Sequence, residues 1–239
     1  MSSATSRSLN INLGCGARWE STWSNLDGGT AAKRLWLRAM RVLAAVPVVN
    51  RFRPAKLRQY PPDVVIWDML RTPLPYATAS ADVIFSQYSF EYMRQDPLQA
   101  ILRDCRRILK PGGLIRLCQV DIAGIVERYR AEEVGPSPRA LARAREFLES
   151  LGGEHTKLSV RLLHGGGHQQ LFDAPTLEWM LSEAGFTDIR FVAFHEGACP
   201  DLDVLEASFD PIPLLRVEAR APHALADDAG APIGASGRS

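Results

Sequence analysis

The stretch Leu9–Arg18, LNINLGCGAR, constrains this chain more than any other, because it runs an alternating strand directly into a glycine turn. Leu9, Ile11 and Leu13 alternate with Asn10 and Asn12, the period-two pattern of a strand with one buried face. Gly14 and Gly16 then bracket Cys15. Small residues at that point let backbone N–H groups approach a ligand at the carboxyl edge of a parallel sheet, where nucleotide-like cofactors bind.

The spacing narrows the ligand. A dinucleotide fingerprint needs G-x-G-x-x-G and an acidic residue about 20 positions further on. Here the third glycine position is Trp19, and an acid arrives early, at Asp27 in WSNLD. A second short strand there would present a carboxylate to ribose hydroxyls.

Later segments repeat the alternation of strand and helix. Asp63–Asp68, DVVIWD, reads as a third strand ending in an acid, and Asp82–Phe85 as a fourth. A helix over Pro97–Leu109 follows, with Asp96 and Pro97 at its start and the turn Lys110–Gly113, KPGG, at its stop. LIRLCQV reads as a fifth strand. Asp173 can cap a helix over Ala174–Ala184, and Gly185 suits the left-handed residue just beyond it. DIRFVAFH and LLRVEARA read as two late strands. Strands alternating with helices imply right-handed crossovers and a mostly parallel sheet covered on both faces.

The order LGCG, W-x-N-x-D, acid, L-P-aromatic, R-x-L-K-P-G-G over Leu9–Val120, resuming at HQQLFDAPTLEWMLSEAGF, resembles the Rossmann-like (class I) S-adenosylmethionine-dependent methyltransferases, in particular a subgroup with an LGCG first motif. The resemblance implies a seven-stranded, mostly parallel α/β sheet with helices on both faces and an antiparallel last strand. It implies a domain over residues 9–221, carrying a basic helical insertion at 30–60 and a substrate cap at 121–167. Residues 1–8 and 222–239 are expected to be disordered, the tail being rich in Ala, Gly, Pro and Ser. By position, Gly14, Cys15 and Gly16 would cradle the methionine and ribose portions of S-adenosylmethionine and Asp27 would hold the ribose. Asp68 and Met69 would lie at the adenine, Ser86 and Gln87 near the methionine end. Two departures stand out. Asn12 replaces an acid and Arg18 a third glycine, while Tyr88 and Tyr92 stand where relatives often have histidines.

The sulfonium brings an activated methyl group, so the protein must align the acceptor and manage its proton. His168 is the leading candidate for a general base because it borders a Gly165–Gly167 loop after the cap; Tyr88, Glu91 and His164 are alternatives. His164 and His168 have helix-face spacing, but the intervening glycines and the lack of a completing carboxylate or thiol argue against a metal site. Cys15 reads as a turn residue rather than a nucleophile, and the four cysteines form no C-x-x-C pair. The expected acceptor is a small molecule, glycan or glycolipid precursor, with oxygen preferred over nitrogen or carbon. A noncatalytic cofactor-binding or assembly protein is one alternative, and a nicotinamide oxidoreductase, opposed by Trp19 and Asp27, is another.

A formal net charge of +1 gives no general reason to expect nucleic acid. The charge is unevenly placed: between Gly28 and Pro62 stand eight Lys or Arg residues and no acid. Within that stretch Leu35, Trp36, Ala39, Met40, Leu43 and Val46 are expected to form the packed side of a helix, with Arg34, Arg38 and Arg41 on another. A solvated basic face, a lid over the cofactor, binding of an acidic substrate, and membrane contact through residues 33–46 remain open. No run is long enough to span a bilayer and no signal peptide is visible, so a cytoplasmic location is expected.

Overall fold

In the computed structural model, which describes residues 8–16, 18–44, 63–69, 71–131, 169–207 and 213–223, seven strands form one sheet. They are β1 (Asn10–Leu13), β2 (Ser24–Asp27), β3 (Val65–Ile66), β4 (Ala81–Gln87), β5 (Leu109–Val120), β6 (Thr187–Phe191) and β7 (Leu214–Arg220). Their order is β3-β2-β1-β4-β5-β7-β6. β1 to β5 run parallel, while β7 is antiparallel to both β5 and β6. The order reverses direction between β1 and β4, so the cleft beyond their carboxyl ends is the natural ligand site of an open α/β sheet. The expected seven-stranded, mostly parallel fold is therefore the observed one.

Among the described residues the helices are α1 (Ala31–Ala44), α2 (Gln95–Ile108), α3 (Ile122–Ala131), α4 (Ala174–Glu183) and the short α5 (Leu202–Leu205), with a 3-10 turn at Phe90–Tyr92. α2 and α4 bury Leu98, Ile101, Leu102, Leu177, Met180 and Leu181 against Ile11, Leu13, Ile84, Ile115 and Leu117 on one sheet face. α4 starts as its sequence requires: Asp173 accepts a hydrogen bond from the Thr176 N–H at 2.9 Å, and Gly185 follows with φ +84°. The other face carries Trp23, Phe85, Leu114 and Cys118, covered by Cys199, Leu202 and Leu205.

That second face also holds a buried ionic cluster that the sequence analysis missed. Arg116, in the middle of β5, is wholly buried and pairs with Glu206 at 2.9 Å and Glu218 at 3.1 Å. Arg216 reaches Glu206 at 2.6 Å. Glu206 also accepts from the His195 N–H, and Glu218 from those of Ala198 and Cys199. Burial acts to raise the Glu206 pKa, yet the His195 N–H and Arg116 hold it below its ordinary value. The cluster fastens the segment from Ala193 to Ala207 onto the sheet, and with it Leu205 at the edge of the cleft.

Three local expectations need correction. DVVIWD yields only the two-residue strand β3, because β2 alone borders it. The KPGG turn is absorbed into β5 as an irregularity: opposite Ala81 and Val83 the register jumps from Leu109 to Leu114, with Gly112 at φ +75°. The expected inner stripe of α1 is split. Lys33 and Leu37 are buried, Leu37 packing with Cys15 and Val64, and Trp36 and Met40 of the stripe are half-buried, Trp36 against that same cluster, whereas Leu35, Ala39 and Leu43 face outward. The cap helix expected within 121–167 and the Gly165–Gly167 loop fall outside the described residues beyond α3, as does nearly all of 222–239.

Candidate active site

Ten residues, 14–23, join β1 to β2, and among those described none is helical. Polar side chains organise this loop instead. Asn12 Nδ2 donates to the Arg18 carbonyl at 2.9 Å and to Asn25 Oδ1 at 3.2 Å. Asn25 in turn donates to the carbonyls of Glu20 and Trp23, and the Trp23 indole donates to Asp201 at 2.8 Å. Asn12, in place of an acid, thus supplies a donor that a carboxylate lacks.

The glycine turn is tight. A Cβ on Gly14, which has φ +77°, would lie 1.9 Å from the Ser89 hydroxyl oxygen, so no side chain fits there. Its N–H groups do not point freely into the cleft, contrary to the expected backbone cradle. Those of Gly14 and Cys15 donate to the Leu26 carbonyl at 2.8 and 3.1 Å, and that of Gly16 donates to Asp27 Oδ2 at 3.2 Å. The turn therefore contributes close approach rather than open donors. Cys15 is buried, and burial, followed by the nearby Asp27 charge, pushes its thiol pKa well above the ordinary value. That protonated thiol suits a turn residue, not a nucleophile.

These elements enclose a cavity of about 710 Å³ at the carboxyl edge of β1, β2 and β4. Its lining includes Gly14, Cys15, Gly16, Asp27, Lys33 and Met69 together with Gln87, Tyr88, Ser89, Tyr92, Arg94 and Gln169, with Asn12, Arg18 and Leu205 also in contact. Six of the eight residues expected at the cofactor, Gly14, Cys15, Gly16, Asp27, Met69 and Gln87, meet here. Ser86 does not: it is fully buried and its hydroxyl donates to the Leu13 carbonyl at 2.8 Å. Asp68 lies outside the lining and pairs with Arg34 at 3.1 Å. Gln87 lines the cavity, but its amide is clamped to Ala207, donating to the carbonyl at 2.8 Å and accepting from the N–H at 3.0 Å.

Asp27 is almost wholly buried and already well engaged. Oδ1 accepts from the Gly28 N–H and from Lys33 Nζ, both at 2.7 Å, and Oδ2 from Gly16. Lys33 was not among the expected site residues. Its signal lay in the sequence, six positions after Asp27 within the basic run, but charge alone does not tell which cation turns inward.

Of the candidates for catalysis, Tyr88 lines the cavity with a left-handed backbone, φ +51°. Burial, then the neighbouring Glu91, raises its phenol pKa, so it remains a neutral hydrogen-bonding group. Glu91 is behind the wall rather than in it: fully buried, with Oε1 accepting from the Val120 N–H at 3.0 Å and Oε2 unpartnered. Burial raises its pKa to about 7 against the backbone hydrogen bonds that lower it. It cannot reach an acceptor in this arrangement. His168 and His164 fall outside the described residues. Among the described residues no cluster of three or more His, Cys, Asp or Glu could hold a metal, and no helix is long and apolar enough to cross a membrane.

Residues 27–117 match the family model described as a methyltransferase domain. The model begins at Asp27, so the glycine turn lies outside the match. A 44-residue stretch is 48% identical to malonyl-[acyl-carrier protein] O-methyltransferase 1 of Coxiella burnetii; it spans 18% of this chain and only 15% of that protein. Among solved structures, a SAM-dependent methyltransferase from Methanosarcina mazei is 17% identical, with a TM-score of 0.49 over 91% of this chain and 94% of that one. Human N-acetylserotonin methyltransferase in complex with SAM is 14% identical, with a TM-score of 0.43 over 90% of this chain and 47% of that one. The shape of the cleft fits an adenosyl cofactor, since Gly14 admits close approach and Asp27 faces the cavity. Residues 27–117 are therefore similar to a methyltransferase domain, and they lie in one seven-stranded sheet with β1 and its glycine turn.

Proposed function

We propose that this chain transfers a methyl group from S-adenosylmethionine to a hydroxyl oxygen of a small molecule, glycan or glycolipid precursor. The observation that carries the reading is a cavity whose lining combines the glycine turn, Asp27 and Met69 with Tyr88, Tyr92, Arg94 and Gln169. The first group suits the cofactor and the second suits a polar acceptor. Similarity to an O-methyltransferase over 44 residues supports oxygen. The Asn12–Asn25 pair and the Trp23–Asp201 hydrogen bond give the LGCG and W-x-N-x-D motifs a joint structural role, which supports the subgroup.

The cofactor supplies an activated methyl group; the acceptor hydroxyl loses its proton as its oxygen takes the methyl carbon, and the sulfonium becomes a thioether. The protein's part is alignment and proton handling. Tyr88 shapes the cavity, its hydroxyl oxygen being buried away from the cavity surface. His168 takes the role of base.

Calorimetric titration with S-adenosylmethionine, S-adenosylhomocysteine and NAD tests the cofactor reading, and release of radiolabelled methyl onto pooled sugar and lipid-linked hydroxyl acceptors tests the transfer. Binding of both sulfur compounds with turnover is the expected result. Binding without transfer to any acceptor would favour the noncatalytic alternative, and binding of NAD alone would overturn the reading.

A further inference from the structure

Among the described residues, the outer face of α1 is apolar, flanked by a cation and uncovered. Leu35, Val42 and Leu43 are 69%, 67% and 40% exposed, and at about 100° per residue they share one stripe with the exposed Ala39. The opposite side is fastened down. Leu37 packs with Cys15 and Val64, and Arg34 donates to the carbonyls of Gly28 and Gly29 and pairs with Asp68. Arg41 donates to the Val64 carbonyl. Two of the three arginines once expected on the free face thus orient the helix instead, and Arg38 remains exposed beside the aliphatic stripe. α1 contains no acid, and residues 28–62 hold eight cations and none.

We propose that this face docks on an anionic lipid surface, with Leu35, Val42 and Leu43 at the boundary between headgroups and acyl chains and Arg38 among the phosphates. An in-plane helix with an aliphatic stripe and a basic flank meets both demands of such a surface: apolar area for the interior and cations for the surface potential. A second copy of the chain would bring a further Arg38 to the stripe and no acid from α1 to compensate it. A nucleic acid would leave the aliphatic side chains in water. Lys33, on the inner side of the same helix, lines the cavity, so the docked helix also forms part of the cavity, which suits an acceptor carried on a lipid. That last point rests on the methyl-transfer reading; the docking does not.

The full chain is sedimented with vesicles of phosphatidylcholine containing about 30 mol% phosphatidylglycerol, and with pure phosphatidylcholine, at about 0.05 and 0.5 M salt. Binding to the anionic vesicles should weaken roughly tenfold with neutral lipid or at high salt. Leu35→Ser with Val42→Ser should weaken it about tenfold or more, and Arg38→Gln roughly fivefold. These side chains are exposed, so melting temperatures should match the parent; if the double serine variant melts early, Arg38→Gln and the salt comparison decide. Absence of parent binding to anionic vesicles, or variants that bind as the parent does, would overturn the proposal. So would a parent dimer in light scattering that the double serine variant dissociates, since a second copy would then cover the face.

Discussion

Replacing Asp27 by Ala probes the site and the fold together. Were Asp27 an exposed cleft residue, the substitution would weaken cofactor binding and leave the fold intact. The structure changes that expectation, because the side chains of Asp27 and Lys33 are only 2% and 10% exposed with Nζ and Oδ1 at 2.7 Å. Removing the carboxylate leaves a nearly buried ammonium and two backbone donors, Gly16 and Gly28, without their acceptor. Breaking a buried pair from one side costs about 3–5 kcal/mol. At roughly 2–4 °C per kcal/mol for a chain of this size, the melting temperature should fall by about 6–20 °C. Lys33→Met removes the stranded charge, so the double variant should recover about 2 kcal/mol or more relative to additivity. Thermal unfolding of the four members of this cycle without ligand is the assay. Losses that add to within about 0.5 kcal/mol would show that the pair is not coupled, and the reasoning would fail.

Three further outcomes follow from the same geometry. A carboxylate offers about four acceptor positions, and Asp27 has three filled, so a vicinal diol can take both of its hydrogen bonds only by displacing Lys33. Lys33→Met should therefore tighten S-adenosylhomocysteine binding by roughly tenfold or more, the worth of one charge-assisted bond; unchanged or weaker binding by calorimetry would reject the competition. Glu91, with a pKa raised to about 7 by burial, binds its proton more tightly folded than unfolded, so its stabilising contribution is full below its ordinary value near 4.5 and is lost as pH rises through 7. Glu91→Gln keeps an acceptor for the Val120 N–H, and the stability of the parent relative to it should drop by roughly 2–3 kcal/mol from pH 5 to pH 8 in denaturant titrations. Arg116→Leu leaves Glu206 with Arg216 as its counter-ion but takes the paired cation from Glu218, and should cost about 3–5 kcal/mol, whereas an effect under about 1 kcal/mol would mean the cluster relaxes into solvent.

The sequence by itself determined the sheet and the edge on which the site lies. Alternation in LNINL, WSNLD and LIRLCQV, and the helix signals at Asp173 and Gly185, depend on neighbours close along the chain, so they survive reading one segment at a time. Gly14 and Asp27 were legible for the same reason: a turn and a strand end are local. What only the tertiary structure decided were the pairings across elements. Ser86 hydrogen-bonds to β1 rather than facing the cavity, and Glu91 stands behind the wall because its carboxylate meets β5. Arg116, a charge in the middle of an apolar strand, is matched by glutamates 90 and 102 residues later, a separation no local pattern encodes. α1 shows the limit most plainly. Its periodicity marks an amphipathic helix, but Leu35, Ala39 and Leu43 of its apolar stripe lie outward while Trp36 turns in, because Leu37 packing and the hydrogen bonds of Arg34 and Arg41 fix its rotation. Hydrophobic pattern identifies a stripe; the surface it meets depends on what the rest of the chain brings to the other side.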